Sequence, residues 1–153
     1  MKIFESFSAE ETADIAAKFA AAAKPGDIIC LSGPLGAGKT VFAQGFARGL
    51  GCVGRVTSPT FTIMQIHEDG RLPLYHFDLY RLEGGAEDLH GIGYEDYFYN
   101  RGVSLIEWPE RAADAIPDTA MWVEMHTNLD KDAEYREIVV CSNLNSFCPK
   151  LIT

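Results

Sequence analysis

The residues best able to do chemistry form a glycine-rich loop in the first third of the chain. Residues 33–40 read GPLGAGKT, which is the G-x-x-x-x-G-K-[ST] spacing of a phosphate-binding loop. The apolar stretch over 27–32 predicts a buried strand before the loop, and 39–50 predicts a helix after it. This arrangement directs backbone N–H groups and a positive helix end at one point, which suits a triphosphate. The sequence therefore predicts a nucleotide-binding site.

Several positions of this loop have a chemical reason for their residue type. The Lys39 ammonium is expected to reach the β- and γ-phosphates, and the Thr40 hydroxyl is expected to bind Mg²⁺. Gly36 and Gly38 allow the backbone to approach a ligand closely and to adopt unusual dihedral angles. The residues that we expect to bind the nucleotide through this loop are Gly33, Gly36, Ala37, Gly38, Lys39, Thr40 and Val41.

A phosphate loop also needs an acidic residue at the end of a nearby apolar strand, which holds the metal directly or through water. Two apolar stretches end in an acid, one in Asp78 and the other in Glu107. Together with Lys39, these acids are the candidate catalytic residues. His76 lies on the same strand face as Asp78, because side chains alternate along a strand. It is predicted either to orient Asp78 through a hydrogen bond or to be a half-buried structural histidine.

Two further features accompany this set. Ser58 and Thr60 belong to a loop after the phosphate-loop helix, where several enzymes with such a loop keep a nucleotide-sensing switch. The alternative is a proline turn at Pro59 that begins a strand. Trp108 directly follows the acid at Glu107 and is predicted to belong either to the core or to the wall of the site.

The remaining elements must position these residues. Ser8 and Glu11 predict a capping box, in which Glu11 returns to the Ser8 N–H, at the start of a helix that ends before Pro25. Asp69 and Gly70 predict a tight hairpin turn. The further strands are predicted over 61–67, 72–79, 103–108, 121–126 and 136–141, and short helices over 94–99 and 109–115.

The hairpin forces an antiparallel pair into a sheet that is otherwise expected to be parallel around the phosphate loop. The sequence therefore predicts a three-layer α/β domain of the P-loop NTPase type, with a mixed parallel and antiparallel sheet. The nucleotide site should lie at the carboxyl ends of the central strands. At 153 residues the chain is expected to form one domain over 1–153, in which 142–153 is a loose C-terminal tail.

Composition argues against several functions. A net charge of −9 disfavours autonomous binding to nucleic acid, because phosphate neutralisation requires a basic surface. Any link to RNA or DNA should run through a partner protein. The apolar runs are far shorter than the ~20 residues of a membrane span, and the N-terminus shows no secretory signal. The 4 cysteines show neither a metal spacing nor a C-x-x-C pair. A cytoplasmic location without membrane contact is therefore expected.

Taken together, the motifs resemble the bacterial TsaE (YjeE) family in order and spacing over nearly the whole chain. The patterns H-x-D-x-Y-R-L and I-E-W are much more specific than the phosphate loop alone. One departure is Pro34, which stands where the family commonly has an acidic residue that is not a phosphate ligand. The matching motifs are GPLGAGKT at 33–40, SPTF at 58–61, HFDLYRL at 76–82, GIGYEDYF at 91–98 and IEWP at 106–109.

The resemblance implies a Mg²⁺-dependent ATPase that supports multiple turnover of the complex that makes N6-threonylcarbamoyladenosine at position 37 of tRNA. It implies TsaD and TsaB as partner proteins, with tRNA contacted only through them. Thr40 and Glu107 look like the magnesium pair, Asp78 like the acid needed for hydrolysis, and Thr60 like part of the switch loop. The residues that the resemblance points to near the adenine, at the start of the first helix, are Glu10 and Thr12.

Two other functions remain open from the sequence. One is a P-loop kinase of a small acceptor; such enzymes often carry an arginine-rich lid, whereas Arg81 and Arg111 could serve here only singly. The other is a non-hydrolysing interaction module, in which the nucleotide orders the switch loop for docking. A GTPase is disfavoured, because the sequence has no N-K-x-D motif for guanine.

Overall fold

The computed structural model describes residues 1–142. The predicted tail over 142–153 lies outside the described residues from position 143 onward. The strands are β1 (Lys2–Ser6), β2 (Ile28–Ser32), β3 (Met64–His67), β4 (Leu74–Asp78), β5 (Val103–Glu107), β6 (Met121–Thr127) and β7 (Arg136–Cys141). The helices are α1 (Ala9–Ala22), α2 (Lys39–Gly49), α3 (Ala86–Gly91), α4 (Glu95–Phe98) and a 3₁₀ helix (Pro109–Ala115).

The strands form one sheet in the order β1-β7-β6-β2-β5-β4-β3. The central strands β6, β2, β5 and β4 are parallel, whereas β3, β7 and β1 pair antiparallel towards the two edges. The predicted mixed parallel and antiparallel sheet is therefore confirmed. The carboxyl ends of the four parallel strands meet at one edge, where an open α/β sheet is expected to bind its ligand.

Helices cover both faces of the sheet. On one face α1 and α2 enclose a core that includes Leu31 and Phe46, and on the other α3, α4 and the 3₁₀ helix enclose a core that includes Phe77 and Ile106. Every residue of β2, β4 and β5 is consequently buried. This double burial explains why these strands read as continuous apolar runs. No helix within residues 1–142 has the length and hydropathy to cross a bilayer.

Helix α1 begins with a capping arrangement close to the predicted one. The Ser8 side chain accepts a hydrogen bond from the Glu11 N–H at 3.1 Å, as predicted. The Glu11 carboxylate, however, accepts a hydrogen bond from the Phe7 N–H at 2.8 Å and not from the Ser8 N–H. Ser8 has an extended backbone (φ −155°, ψ 161°), and the N–H group that meets the first helical turn is therefore that of Phe7.

The two long helices pack closely at two glycines of α2. A Cβ atom on Gly45 would lie 2.5 Å from Ala13 Cα, and one on Gly49 would lie 2.5 Å from the Ala17 carbonyl oxygen. Real Cβ atoms do not approach backbone atoms so closely, so larger side chains here would force the helices apart. Because α2 begins at the phosphate loop, this contact fixes the helix that carries the loop.

The first two edge elements differ from the prediction. Strand β1 has no counterpart among the predicted strands, because it is a short edge strand with mostly exposed residues and no clear alternation of burial. Strand β3 begins at Met64, although the sequence predicted a strand from residue 61. The difference arises because Ile63 adopts a left-handed backbone conformation (φ 68°), which interrupts an extended strand.

The predicted hairpin exists, but its tight turn at Asp69 and Gly70 is wrong. His67 pairs with Leu74, so six residues separate β3 from β4. The Asp69 carboxylate accepts hydrogen bonds from the N–H groups of Val53 at 2.8 Å and of Gly54 at 3.1 Å. The loop is therefore held against the end of α2 and does not close as a two-residue turn.

We expect Gly45→Ala to lower the free energy of unfolding by about 1–3 kcal/mol, because the added methyl group overlaps the Ala13 backbone. This effect opposes intrinsic helix propensity, which favours alanine over glycine by about 1 kcal/mol. Gly91→Ala is the control, because a Cβ atom there meets nothing within 4 Å. Urea denaturation followed by circular dichroism measures both variants. Equal stability of Gly45→Ala and the wild type would contradict the helix packing described above.

Candidate nucleotide-binding site

The predicted phosphate loop connects β2 to α2 at the carboxyl edge of the sheet. Gly36 (φ 80°) and Gly38 (φ 96°) both adopt left-handed conformations, which glycine accepts without a Cβ clash. Gly38 directly precedes α2, and no side chain caps this helix end. The N–H groups of the first turn are therefore available to a ligand, and the helix end adds partial positive charge. This local geometry suits an anion such as a phosphate.

An open cavity of about 500 Å³ lies over the loop. Small-molecule sites typically have volumes of ~300–1,000 Å³, so the cavity has a suitable size. Besides the loop, its wall includes the predicted switch segment, the ends of β4 and β5 and the start of β7. The lining residues that concern the site are Gly36, Ala37, Gly38, Lys39, Thr40, Val41, Ser58, Thr60, Asp78, Glu107, Trp108 and Arg136.

Three of the residues predicted to bind nucleotide lie outside this cavity. Gly33 is buried beneath the loop, where its carbonyl oxygen accepts a hydrogen bond from the loop lysine. Thr12 lines a smaller cavity of about 100 Å³, which adjoins the first because Gly38 and Arg136 line both. Glu10 is exposed and lines neither of the two cavities, because it lies on the solvent-facing side of α1.

Lys39 is buried at the base of the main cavity. Its ammonium donates hydrogen bonds to the carbonyl oxygens of Gly33 and Pro34, and it lies 4.0 Å from the centre of the Trp108 ring. Burial lowers the pKa of Lys39, while nearby carboxylates, above all Glu107, oppose this shift. The site thus holds a desolvated cation beneath the loop, and Trp108 forms part of the wall around it.

Asp78 and Glu107 end neighbouring parallel strands and are direct register partners. Their side chains lie together at the carboxyl edge of the sheet, and the two residues are 3% and 2% exposed. Two carboxylates that are close together and desolvated repel each other when both are ionised. Hydrogen-bond donors and cations around them must therefore offset this repulsion.

The predicted switch segment supplies several of these donors. Ser58 Oγ lies 2.6 Å from Asp78 Oδ2 and 3.1 Å from Glu107 Oε2, so the two carboxylates share its hydroxyl proton. Thr60 Oγ1 donates to Asp78 Oδ2 at 2.9 Å, and the Tyr80 N–H donates to Asp78 Oδ1 at 3.0 Å. The loop that follows α2 is thereby tied directly to both acids.

The prediction that His76 orients Asp78 is wrong, because His76 contacts Glu107. Its Nε2 atom lies 2.9 Å from Glu107 Oε2, and the imidazole is completely buried, not half-buried. Residues two positions apart on a strand are separated by ~6.6 Å, which places Asp78 beyond the reach of the ring. The longer side chain of Glu107 extends back across the neighbouring strand and meets it.

Arg136, at the start of β7, is a site residue that no motif indicated. Its guanidinium donates hydrogen bonds to the carbonyl oxygens of Ala37 at 2.9 Å and Gly36 at 3.1 Å. Within the described part of the chain, no carboxylate forms an ion pair with it. An arginine that begins a strand is an ordinary surface residue in a sequence, and only the strand order brings this one to the loop.

The oxygen atoms of the cavity fit Mg²⁺. Magnesium is usually held by one or two carboxylates together with substrate phosphates. The hydroxyl of Thr40 and the carboxylates of Asp78 and Glu107 line the same cavity and are ligands of this kind. Over residues 1–142, no group of three or more His, Cys, Asp or Glu side chains could hold a metal by itself. The residues therefore suit a Mg²⁺ ion that is bound together with a nucleotide.

A glycine-rich loop at a helix start, a buried lysine and two strand-end acids on a mixed α/β sheet define a protein of the P-loop NTPase type. A family model described as "Threonylcarbamoyl adenosine biosynthesis protein TsaE" matches residues 6–138. The chain belongs to the TsaE family. The resemblance indicated by the sequence motifs is therefore confirmed.

Individual relatives agree with this assignment. A tRNA threonylcarbamoyladenosine biosynthesis protein TsaE from Bacillus subtilis is 44% identical over 142 residues, which cover 93% of this chain and 88% of the relative. Its counterpart from Treponema pallidum is 40% identical over 129 residues, which cover 84% and 94%. The crystal structure of YdiB from Bacillus subtilis superposes with a TM-score of 0.76 at 37% identity, covering 94% of this chain and 86% of that one. This similarity confirms the predicted fold class.

We expect Arg136→Met to weaken nucleotide binding about tenfold, because two charge-assisted hydrogen bonds that hold the loop carbonyls are lost. Methionine retains most of the length of the side chain. Arg101→Met is the matched control, since Arg101 is exposed and precedes β5 at the opposite edge of the sheet. Isothermal titration calorimetry with ATP and Mg²⁺ measures both affinities. If both variants bind like the wild type, Arg136 does not support the loop.

Proposed function

We propose that the protein is a Mg²⁺-dependent ATPase that supports multiple turnover of the complex that makes N6-threonylcarbamoyladenosine at position 37 of tRNA. The observation that carries the proposal is the convergence of Lys39 with the buried acids Asp78 and Glu107 in one cavity. Membership of the TsaE family supports a nucleotide-binding role in this pathway. The names of the relatives, which refer to tRNA threonylcarbamoyladenosine biosynthesis, support it further.

Each charged or polar residue has a part in this proposal. The loop amides and the Lys39 ammonium would hold the phosphates, because they place positive charge where the β- and γ-oxygens lie. Thr40 and Glu107 would hold Mg²⁺, which neutralises phosphate charge when bound. Asp78 would orient the attacking water and accept its proton. Hydrolysis therefore depends on the strand-end acids, whereas binding depends mainly on the loop.

The hydrogen bonds of Ser58 and Thr60 support the switch role proposed for them. Ser58 shares one proton between the two acids, and Thr60 donates to Asp78. A metal ion held by Glu107 would bind the carboxylate group that now accepts the Ser58 hydrogen bond. Binding of Mg²⁺ and nucleotide should therefore change the position of the segment over 58–60, and this couples the chemistry to a surface that a partner can contact.

We propose that the smaller cavity beside Thr12 receives the adenine. It adjoins the loop at Gly38, on the side where α1 and α2 lie together. Of the two residues predicted to lie near the adenine, Thr12 would line the base, because it borders this cavity and Glu10 does not. A preference for adenine over guanine agrees with the absence of an N-K-x-D motif from the sequence.

We propose TsaD and TsaB as the partner proteins, on the basis of the family. The net charge of −9 supports a contact with tRNA that is only indirect, because an acidic surface repels a phosphate backbone. A cytoplasmic location would place the protein with these partners. In this proposal the ATPase serves the complex without modifying the base itself.

A kinase of a small acceptor is less well supported by the arginines near the site. The guanidinium of Arg136, which lines the cavity, is held by loop carbonyls. Arg81 lies 4.2 Å from the centre of the Phe61 ring, and Arg111 lies 5.7 Å from the centre of the Tyr80 ring. Within residues 1–142, no arginine-rich lid closes over the cavity. Water is therefore the better supported acceptor.

We expect Lys39→Ala to abolish measurable ATP binding, because it removes the main positive charge beneath the β- and γ-phosphates. Calorimetric titration with ATP and Mg²⁺ measures the loss. Lys18→Ala is the matched control, since Lys18 is an exposed residue of α1 outside both cavities. Unchanged affinity of Lys39→Ala would refute the proposed role of the loop.

The proposed function is tested by phosphate release from ATP, measured with and without TsaB and TsaD. We expect slow hydrolysis by the isolated chain and a clear stimulation by the partners, because Arg136, the arginine that lines the cavity, donates its hydrogen bonds to loop carbonyls and is not directed at a transferring phosphoryl group. Rapid hydrolysis by the isolated chain would contradict this dependence. Transfer of labelled phosphate to a small acceptor would favour the kinase.

Asp78→Asn separates hydrolysis from binding, because asparagine has the same shape but cannot accept the proton of water. We expect this variant to bind ATP with about the wild-type affinity and to lose at least about 100-fold in hydrolysis rate. Multiple turnover of tRNA modification should be lost with it. If the variant still supports multiple turnover, hydrolysis is dispensable and the nucleotide-gated interaction module is the correct function.

A further inference from the structure

The α2–β3 connection, residues 50–63, contains neither helix nor strand, although it carries both switch residues. At its far end Ser58 and Thr60 form hydrogen bonds with the strand-end acids. A connection of this kind lacks the repeating backbone hydrogen bonds of a helix or strand, so other contacts must hold it in place. The contacts at its near end therefore influence how precisely the switch residues meet the acids.

Asp69 holds the near end of this connection. One carboxylate oxygen, Oδ2, accepts hydrogen bonds from the N–H groups of Val53 at 2.8 Å and Gly54 at 3.1 Å. These donors, that of Val53 first, lower the pKa of Asp69, so the carboxylate stays ionised at neutral pH. Hydrogen bonds to an ionised acceptor are about twice as strong as those between neutral groups. One side chain thus fixes two successive peptide groups of the connection.

The β3–β4 loop, to which this acid belongs, is itself tied to both long helices. The Arg71 N–H donates to the carbonyl oxygen of Leu50 at 2.6 Å. The guanidinium of the same residue donates to the carbonyl oxygens of Ala20 at 2.8 Å and Ala23 at 3.1 Å. These carbonyls lie at the C-terminal ends of α2 and α1, where a helix leaves carbonyl groups without an intrahelical partner. The carboxylate is therefore mounted on a loop that the helix pair supports.

The stretch between the anchored end and the acids is packed against the protein. Val56 is buried, and its carbonyl oxygen accepts a hydrogen bond from Gln44 Nε2, on α2, at 3.1 Å. Pro59 is also buried, and its carbonyl oxygen accepts a hydrogen bond from the Ile63 N–H at 2.8 Å. Close packing transmits displacements, because it leaves little space to absorb them. A shift at residues 53–54 should therefore move the switch residues.

We propose that Asp69 is a positioning residue of the site: its carboxylate anchors the near end of the α2–β3 connection and so holds Ser58 and Thr60 against the strand-end acids. Asp69 lies outside both cavities and acts only through the backbone of the connection. This inference rests on the proposed function only in the step from the position of the switch residues to the rate of ATP hydrolysis. The anchoring itself is a property of the protein alone.

The first test measures how firmly the connection is held in Asp69→Ala. We expect trypsin to cleave after Arg55, an exposed residue of the connection, about tenfold faster than in the wild type, because both hydrogen bonds at this end are lost. Hydrogen exchange of the Ile63 N–H, at the far end, should accelerate as well. Cleavage after Arg101 is the internal reference, since this exposed residue precedes β5 and belongs to neither loop.

The second test measures ATP hydrolysis in the presence of TsaB and TsaD. We expect kcat to fall about tenfold in Asp69→Ala, because displaced switch residues leave the acids poorly oriented. The KM for ATP should not change, since the phosphate loop and Lys39 are not affected. Asp69→Asn should restore most of the rate, because its amide oxygen can still accept both N–H groups. Glu68→Ala is the matched control, as it removes the neighbouring exposed acid of the same loop.

Several outcomes would overturn the proposal. Unchanged cleavage and exchange in Asp69→Ala would show that the carboxylate does not anchor the connection. Equal acceleration of cleavage after Arg55 and Arg101 would show that the variant only destabilises the whole fold. A loosened connection with a wild-type kcat would remove Asp69 from the site. If the wild type hydrolyses no ATP even with its partners, the proposed function fails instead, and cleavage and exchange still decide whether Asp69 is the anchor.

Discussion

The site depends on two buried carboxylates that lie side by side. Asp78 and Glu107 end adjacent parallel strands in direct register, so the sheet itself determines their separation. In a desolvated setting such a pair is unfavourable without compensation. The hydroxyl of Ser58, the imidazole of His76 and the ammonium of Lys39 each approach one or both acids. The polar residues around the cavity can therefore be understood as the neighbours that this pair requires.

Strand order brings these neighbours together from distant parts of the chain. The phosphate loop lies between β2 and α2, whereas the acids come from β4 and β5, and β7 contributes the arginine that holds the loop carbonyls. The close packing of Gly45 and Gly49 against α1 fixes α2, so the lysine at its start has a defined position relative to the sheet. The segment between α2 and β3 then closes the site from the other side.

The features that could be predicted from the sequence depend on local patterns. Glycine spacing identifies the phosphate loop, and strands buried on both faces leave apolar runs that end visibly at Asp78 and Glu107. The features that could not be predicted depend on register and strand order. No local pattern shows that His76 meets Glu107 across a strand boundary, or that Arg136 reaches the loop. The prediction of a tight turn at Asp69 was wrong because the Asp69 carboxylate accepts hydrogen bonds from backbone N–H groups of another loop, and this contact is remote in sequence.

The left-handed backbone at Ile63 places conformational strain in the segment over 58–63, which contacts the two acids. A branched residue in this conformation is strained by about 1–2 kcal/mol. The 2.8 Å hydrogen bond from the Ile63 N–H to the Pro59 carbonyl oxygen holds it there, whereas the equally long bond from the Asp78 N–H to the Ile63 carbonyl oxygen continues the register of β3 and β4. If this segment moves away from Asp78, Ile63 can adopt an extended conformation and lengthen β3. The relief of this strain then offsets part of the free energy lost when the hydrogen bonds of Ser58 and Thr60 to Asp78 break. The free-energy cost of moving the segment is therefore lower than the number of its contacts suggests.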